Sequence, residues 1–295
     1  MCTRVLRGLS KICSSYDTFL LDQFGVLHDG SSAYPGACDA LARLNASGKM
    51  LVIISNSGQR AEHALEKLKL LGFEPGWFAG VVTSGETTHT ALLTRDDPFF
   101  SCLGRKCLHL VWISHEKTDE YGLTYVSDIS AADFVLVHGM EAVVNGSGTA
   151  ERVSLECVRS HIKCAARMRV PLVIANPDVS TVDPHFTIPL AGQTAQWYLE
   201  EGGPPSSIKL MGKPNEVIYK AALSVLPDAG RVLAVGDSFA HDVRGAANFG
   251  IDSLFVATGI HAHEIGGGLN AFSIQALANS HGCPTPTYAI SKFQW

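Results

Sequence analysis

Four points in this chain, each read as a strand end, carry groups that can do chemistry. They are Asp22, Ser55 with Asn56, the turn Gly212-Lys213-Pro214, and Gly236-Asp237-Ser238 with Asp242 just beyond. A carboxylate at the end of a buried strand is costly unless something pairs with it. Aspartates, a hydroxyl, a lysine and a helix start rich in free N–H groups together describe a site for a phosphate group and Mg²⁺. Mg²⁺ is usually held by one or two carboxylates, with water and substrate phosphate completing its shell. Lysine and hydroxyl then offset charge on a transferring phosphoryl group.

Those groups can meet only if the elements carrying them lie side by side. "TFLLD" (18–22) and "MLVII" (50–54) are short continuous apolar runs, the pattern of strands buried on both faces. Between them Ala37, Ala40, Leu41 and Leu44 share a helical face, and Gly48 suits the position past a helix end. "AEHALEKLKLLG" places Ala61, Ala64, Leu65, Leu68 and Leu71 at helical period before the run "AGVVTS". The order β-α-β-α-β implies a parallel sheet with right-handed crossovers. The last third repeats it: a helix from "KPNEVIYKAALSVL" burying Val217, Ile218, Ala221, Ala222 and Val225, then "RVLAVGDS", a helix through "HDVRGAANFG", and the strand "DSLFVATG". Ligands of such sheets gather at the carboxyl ends of the strands.

The middle has its own elements: "CLHLVW", "DFVLVHGM", a long helix around "SLECVRSHIKCAARM", and "PLVIANPD". "NGSGTA" (145–150) reads as a mobile loop. The expected fold class is α/β: a Rossmann-like parallel three-layer core from 1–85 and 183–295, with a second α/β unit, 86–182, inserted as a cap. "GSG" at 146–148 and "GGGLN" at 266–270 do not follow strands in the dinucleotide pattern and carry little weight.

Composition limits the partners. The 295 residues are 46% hydrophobic and 17% charged, with net charge −5, and no basic run offers a nucleic-acid surface. The eight cysteines form no C-x-x-C pair and read as reduced core thiols of an intracellular protein. The basic start "MCTRVLRGLSKIC" has a faint likeness to an organelle address but lacks the apolar region of a secretory signal. No apolar run approaches the ~20 residues that span a bilayer. The reading is a cytoplasmic protein without membrane or nucleic-acid partners.

Taken in order, "DQFGV", "IISNS", "GKP" and "VGDSFAHD" resemble the motifs of the haloacid dehalogenase superfamily, and their spacing resembles its class IIA branch, which inserts a large cap between the second and third motifs. "YPGACDAL", "TSGETTHTALL", "ANPD" and "GKPNEVIYKAAL" are further points of likeness. The resemblance implies an Mg²⁺-dependent phosphatase acting on a small phosphorylated metabolite, with Asp22 as nucleophile forming an aspartyl-phosphate. Asp22, the Phe24 carbonyl, Asp237 and Asp242 would hold or support Mg²⁺. Ser55, Asn56, Ser57 and Lys213 would bind the phosphoryl group, Asp178 would line the entrance, and a homodimer would form through the cap.

One position departs from the pattern. Where the family's phosphatases carry a second aspartate, two residues after the nucleophile, this chain has Phe24. Phenylalanine can neither protonate a leaving alcohol nor deprotonate the attacking water, help typically worth 10²–10⁴-fold. His28 and Asp29 are candidate stand-ins, each also a common turn residue. Two alternatives therefore stand beside the phosphatase: a weak or inactive phosphometabolite-binding protein, and an enzyme for acyl phosphates, whose leaving group needs no proton.

Overall fold

The computed structural model describes residues 3–113, 121–179, 189–265 and 268–295. The strands begin with β1 (Arg4–Leu6), β2 (Thr18–Leu21), β3 (Met50–Ser55) and β4 (Gly80–Thr83). The middle supplies β5 (Lys106–Val111), β6 (Thr124–Tyr125), β7 (Phe134–Val137), β8 (Ala142–Val144), β9 (Ala150–Arg152), β10 (Leu172–Ile174) and β11 (Ile208–Leu210). The last are β12 (Val232–Gly236), β13 (Asp252–Val256) and β14 (Tyr288–Ile290).

The chain divides into two compact units, 1–55 with 60–83 and 213–295, and 56–59 with 84–212. The first unit is built on a seven-stranded sheet in the order β1-β14-β13-β12-β2-β3-β4, every pairing parallel. Alternation along the strands makes it three-layered. Phe19, Leu21, Leu51, Ile53, Leu233 and Val235 enter one core, which takes in the helix Ala37–Ala46. Leu20, Val52, Ile54 and Ala234 enter the other, with the helices Glu216–Ser224 and Arg244–Phe249. The chain runs from β2 outward to β4, then resumes at β12 on the opposite side of β2. That reversal brings the carboxyl ends of β12, β2 and β3 side by side.

The amino-terminal stretch is part of this unit. β1 pairs with β14, and Leu9, Ile12 and Cys13 are buried in the core. Among the described cysteines all are free, but only Cys13 and Cys107 are buried, so core burial accounts for fewer of them than the sequence implied. No helix among the described residues is long and apolar enough to cross a membrane.

The second unit has a sheet in the order β11-β10-β7-β5-β8-β9, with β6 alongside β5 and antiparallel pairings at β5–β8 and β8–β9. Its core joins Leu108, Leu110, Val135 and Val137 to Val158 and Ile162 of the helix Leu155–Met168.

Three expectations need correcting. Within 145–150, residues 145–149 are the tight turn of the β8–β9 hairpin, and Ala150 begins β9: Asn145 Oδ1 accepts from the Ser147 and Thr149 N–H groups. The expected return to the core at 183 lies outside the described residues, and the second unit runs on to Gly212. β11 pairs with β10, and Tyr198 of the helix Gln193–Glu200 is buried in the second core. Finally, the helix Glu216–Ser224 buries Tyr219 where Val225 was expected, and Val225 is 46% exposed. Tyr219 stacks on Phe249 at 5.3 Å, in room left by Gly245, whose side chain would meet its hydroxyl.

Candidate active site

Asp22 follows β2 directly, and its N–H extends the ladder to Val235 O at 2.9 Å. Asp237 follows β12, the adjacent strand. Beyond it Ser238 opens a tight turn by accepting from the His241 N–H. The turn brings Asp242 back under the strand end, where its Oδ2 accepts from the Ser238 N–H at 3.0 Å. Gly236 permits this, because a Cβ there would lie 1.9 Å from the Asp242 carboxyl carbon. Lys213 precedes a helix capped by Asn215, whose side chain accepts from the Val217 N–H. The ammonium of Lys213, 3% exposed, lies 2.8 Å from Asp22 Oδ1 and 2.7 Å from Asp242 Oδ1.

Oxygen atoms of Asp22, Asp237 and Asp242 lie within 4.8 Å of one another, and all three residues are buried. Burial, reinforced by Asp242 and opposed by Lys213, pushes the Asp22 carboxyl up to about 7. Burial and the neighbouring Asp22 and Asp242 raise Asp237 well above the usual carboxylate range. Burial works against the Lys213 ammonium, but Asp22 and Asp242 outweigh it and hold it protonated. Three carboxylates (−3) and one ammonium (+1) leave −2 when all are ionised. Such a surplus in a buried place calls for a cation.

Ser55 ends β3, opposite Gln23 by continuation of the β2–β3 register. Gln23 Nε2 donates to Ser55 Oγ at 2.8 Å, and both residues are buried. With one lone pair engaged there, the hydroxyl has fewer ways to turn. Asn56, Ser57 and Asp178 belong to the second unit. Within it the Asn56 amide donates to Asp178 Oδ1 at 2.8 Å, and Ser57 O accepts from the Gly85 N–H.

Phe24 is 54% exposed, so its ring does not fill a core position. Neither stand-in is built as an acid. His28 is buried, and its Nδ1 accepts from the Gly30 N–H, leaving the proton on Nε2. Burial pushes that imidazole down to about 4, so it is neutral near pH 7. Asp29 Oδ1 accepts from the Ser31 and Ser32 N–H groups, which hold its carboxyl below the usual range. Both are turn residues.

The profile of the family described as haloacid dehalogenase-like hydrolase matches residues 19–119, and the HAD-hydrolase-like profile matches residues 210–282. The chain belongs to the haloacid dehalogenase superfamily, class IIA. It is 26% identical over 255 residues to the 5'-nucleotidase YutF of Bacillus subtilis, covering 85% of this chain and 90% of the relative. It is 27% identical over 253 residues to the acid sugar phosphatase of Staphylococcus haemolyticus, covering 85% and 88%. Among solved structures, a haloacid dehalogenase-like hydrolase from Brucella suis superposes with a TM-score of 0.72 at 25% identity, covering 98% of this chain and 99% of that one.

Sequence reasoning missed several residues of this haloacid dehalogenase-like site. Gln23 had no signal of its own, since a lone glutamine beside an aspartate makes no pattern. Gly25 and Gly259 press against the Asp237 carboxylate, where a Cβ would fall 2.2 and 1.7 Å from Oδ2. The Ile260 N–H donates to that oxygen at 2.8 Å, and Thr258 Oγ1 donates to Gly25 O at 2.6 Å. A Thr-Gly pair closing "DSLFVATG" was the available signal.

Proposed function

We propose that the chain is a divalent-metal-dependent phosphatase, Mg²⁺ being the metal, for a small phosphorylated metabolite. One observation carries this reading: three buried carboxyls, Asp22, Asp237 and Asp242, gathered around the single ammonium of Lys213 beside the carboxyl ends of adjacent parallel strands, a surplus of −2 once all are ionised. Oxygen donors of that charge suit a hard divalent cation. Asp22, Asp237 and the Phe24 carbonyl would hold it, Asp242 would support it, and when bound it would offset charge on the phosphoryl oxygens.

An Asp22 carboxylate oxygen attacks phosphorus as the P–O bond to the leaving group breaks, giving an aspartyl-phosphate and an alkoxide that takes its proton from solvent. Water then attacks the phosphorus, releasing phosphate and restoring Asp22. Splitting one displacement into two is the general advantage of covalent catalysis. Lys213 and the Ser55 hydroxyl, held by Gln23, neutralise and orient the transferring group. Asn56, Ser57 and Asp178 are proposed as substrate-binding residues. The names of the Bacillus and Staphylococcus relatives support nucleotides and sugar phosphates as the first substrates to try.

The test is phosphate release from a panel of phosphometabolites, with Mg²⁺ and with chelator, beside Asp22→Asn. Turnover that needs the metal and disappears in the variant is the expected result. Equal turnover by Asp22→Asn would sink the nucleophile assignment. Phe24 favours a second reading, a binding protein with negligible turnover, because neither His28 nor Asp29 supplies the missing acid. Binding of the same metabolites by wild type and Asp22→Asn, with no phosphate released by either, would establish it.

A further inference from the structure

Asp237 is held from outside the strand that carries it. Thr258 ties its own segment to Gly25, Gly259 leaves space for the carboxylate, and Ile260 donates to it. The next residue, His261, reaches the other side of the same turn. Its Nε2 accepts from the Phe239 N–H at 3.3 Å, two residues beyond Asp237. His261 Nδ1 lies 2.5 Å from Glu264 Oε1, and the other oxygen of Glu264 lies 3.0 Å from His281 Nε2. The two imidazoles lie 4.5 Å apart and share one side of the buried Phe239 ring, their centroids 5.3 and 6.1 Å from it. Arg244, at the start of the following helix, donates to His281 O.

Two chemistries fit a pair of histidines around a carboxylate. Their ligand atoms are close enough together for a metal ion. The hydrogen bonds argue otherwise. A ring nitrogen that accepts from a backbone N–H carries no proton, so the proton of neutral His261 sits on Nδ1 and points at Glu264. Two ligands each ~2.0 Å from a tetrahedral metal would also stand roughly 3.3 Å apart, well beyond the 2.5 Å between Nδ1 and Oε1. Glu264 further divides its oxygens, one to each ring. This is a hydrogen-bonded relay that fixes a tautomer, as carboxylates do for the outer nitrogen of functional histidines.

We propose that Thr258–Glu264 with His281 forms a clasp that sets the position of Asp237, and that His261 is its positioning residue. Glu264 orients His261, His261 fixes the Phe239 N–H, and the turn between Asp237 and Asp242 is thereby held from both sides. The inference rests on the proposed metal-binding role of Asp237. It assigns residues outside all four motifs to that role.

Two substitutions separate the two nitrogens. His261→Gln keeps an acceptor near the place of Nε2, whereas His261→Asn keeps a group near Nδ1 and cannot reach Phe239. Amide hydrogen exchange at Phe239 reads the contact without any metal, and calorimetry with MgCl₂ reads its consequence. Expected are wild-type-like protection and affinity in His261→Gln, with lost protection and about tenfold weaker Mg²⁺ binding in His261→Asn, the low end of effects from outer-shell partners. Unchanged Phe239 exchange in His261→Asn would overturn the clasp. So would lost protection with unchanged Mg²⁺ affinity. Titration with ZnCl₂ alone completes the set, and one tightly bound zinc, absent from His281→Ala, would replace the clasp with a metal site. Failure of wild type to bind Mg²⁺ would overturn the metal reading itself and the clasp with it, a result distinct from equal affinities in wild type and variant.

Discussion

Phe24 stands where a proton donor would help and leaves more than half of its side chain in solvent. A carboxylate placed there would stay hydrated, so Phe24→Asp should add an acid without burying a charge. Turnover of alkyl phosphates, whose leaving oxygen needs a proton, should then rise, by about 10²-fold at the low end of general-acid effects. Aryl or acyl phosphates should change little. Steady-state kinetics on both classes checks this, and equal effects on the two would refute the missing-acid account. Gln23 makes a smaller prediction. Replacing it with Leu removes the donor that holds Ser55 Oγ. A hydrogen bond of about 1 kcal/mol corresponds to roughly fivefold, so kcat/KM should fall by that order while Ser55→Ala costs more. A Gln23→Leu loss as large as that of Ser55→Ala would mean that glutamine does more than orient the hydroxyl.

At the scale of elements, the amino ends of the first sheet's strands, opposite the site, have their own fastening. Asp252, heading β13, accepts from Tyr16 at 2.6 Å, from Thr287 at 2.9 Å and from the Arg231 guanidinium at 3.0 Å. Burial works against its ionisation, but those donors prevail and keep the carboxyl below the usual range. A carboxyl depressed by folding stabilises the fold above its unfolded value of ~3.9, and that contribution is lost as pH falls through the folded value. Asp252→Asn should therefore melt lower than wild type at neutral pH, with the gap closing in acid. Melting curves at both pH values decide it, and a constant gap would exclude the ionised carboxylate as its source.

The same scale shows what the sequence made legible. Asp22, Ser55, Lys213 and Asp237 stood out because a polar group ending an apolar run breaks a local pattern, and local patterns are what a sequence displays. The place of the second unit's end was hidden, because "IKL" before the Gly-Lys-Pro turn has the composition of a strand for either sheet. Its partner β10 decides, and pairing is a tertiary fact. Tyr219 displaced Val225 for the same kind of reason: the space beside Gly245 belongs to another helix. Glycines that admit the Asp237 carboxylate were equally silent, since close approach leaves no periodicity.

For the molecule as a whole, the crowded carboxyls of the proposed site would link metal binding to folding. A cation that binds only the folded state stabilises it by RT ln(1 + [L]/Kd), about 2.7 kcal/mol at a hundred times Kd. Melting temperature should therefore climb with MgCl₂ and stay flat in NaCl of matched ionic strength. Asp237→Asn removes one of the crowded carboxylates, so it should melt higher than wild type in chelator and lose the response to Mg²⁺. A variant that melts lower in chelator would show that the carboxylates are not in conflict. The sheet also imposes an order in time. Thr3 hydrogen-bonds to Pro286 across 283 residues of chain, and β1 lies against β14. On a ribosome the edge strand emerges long before its neighbour is translated. Leu9 and Ile12, buried beside it in the finished fold, must wait with their apolar surface uncovered until β14 has been made. The β1 segment is therefore made well before it can be sealed, which gives a chaperone that reads short apolar stretches a long opportunity there.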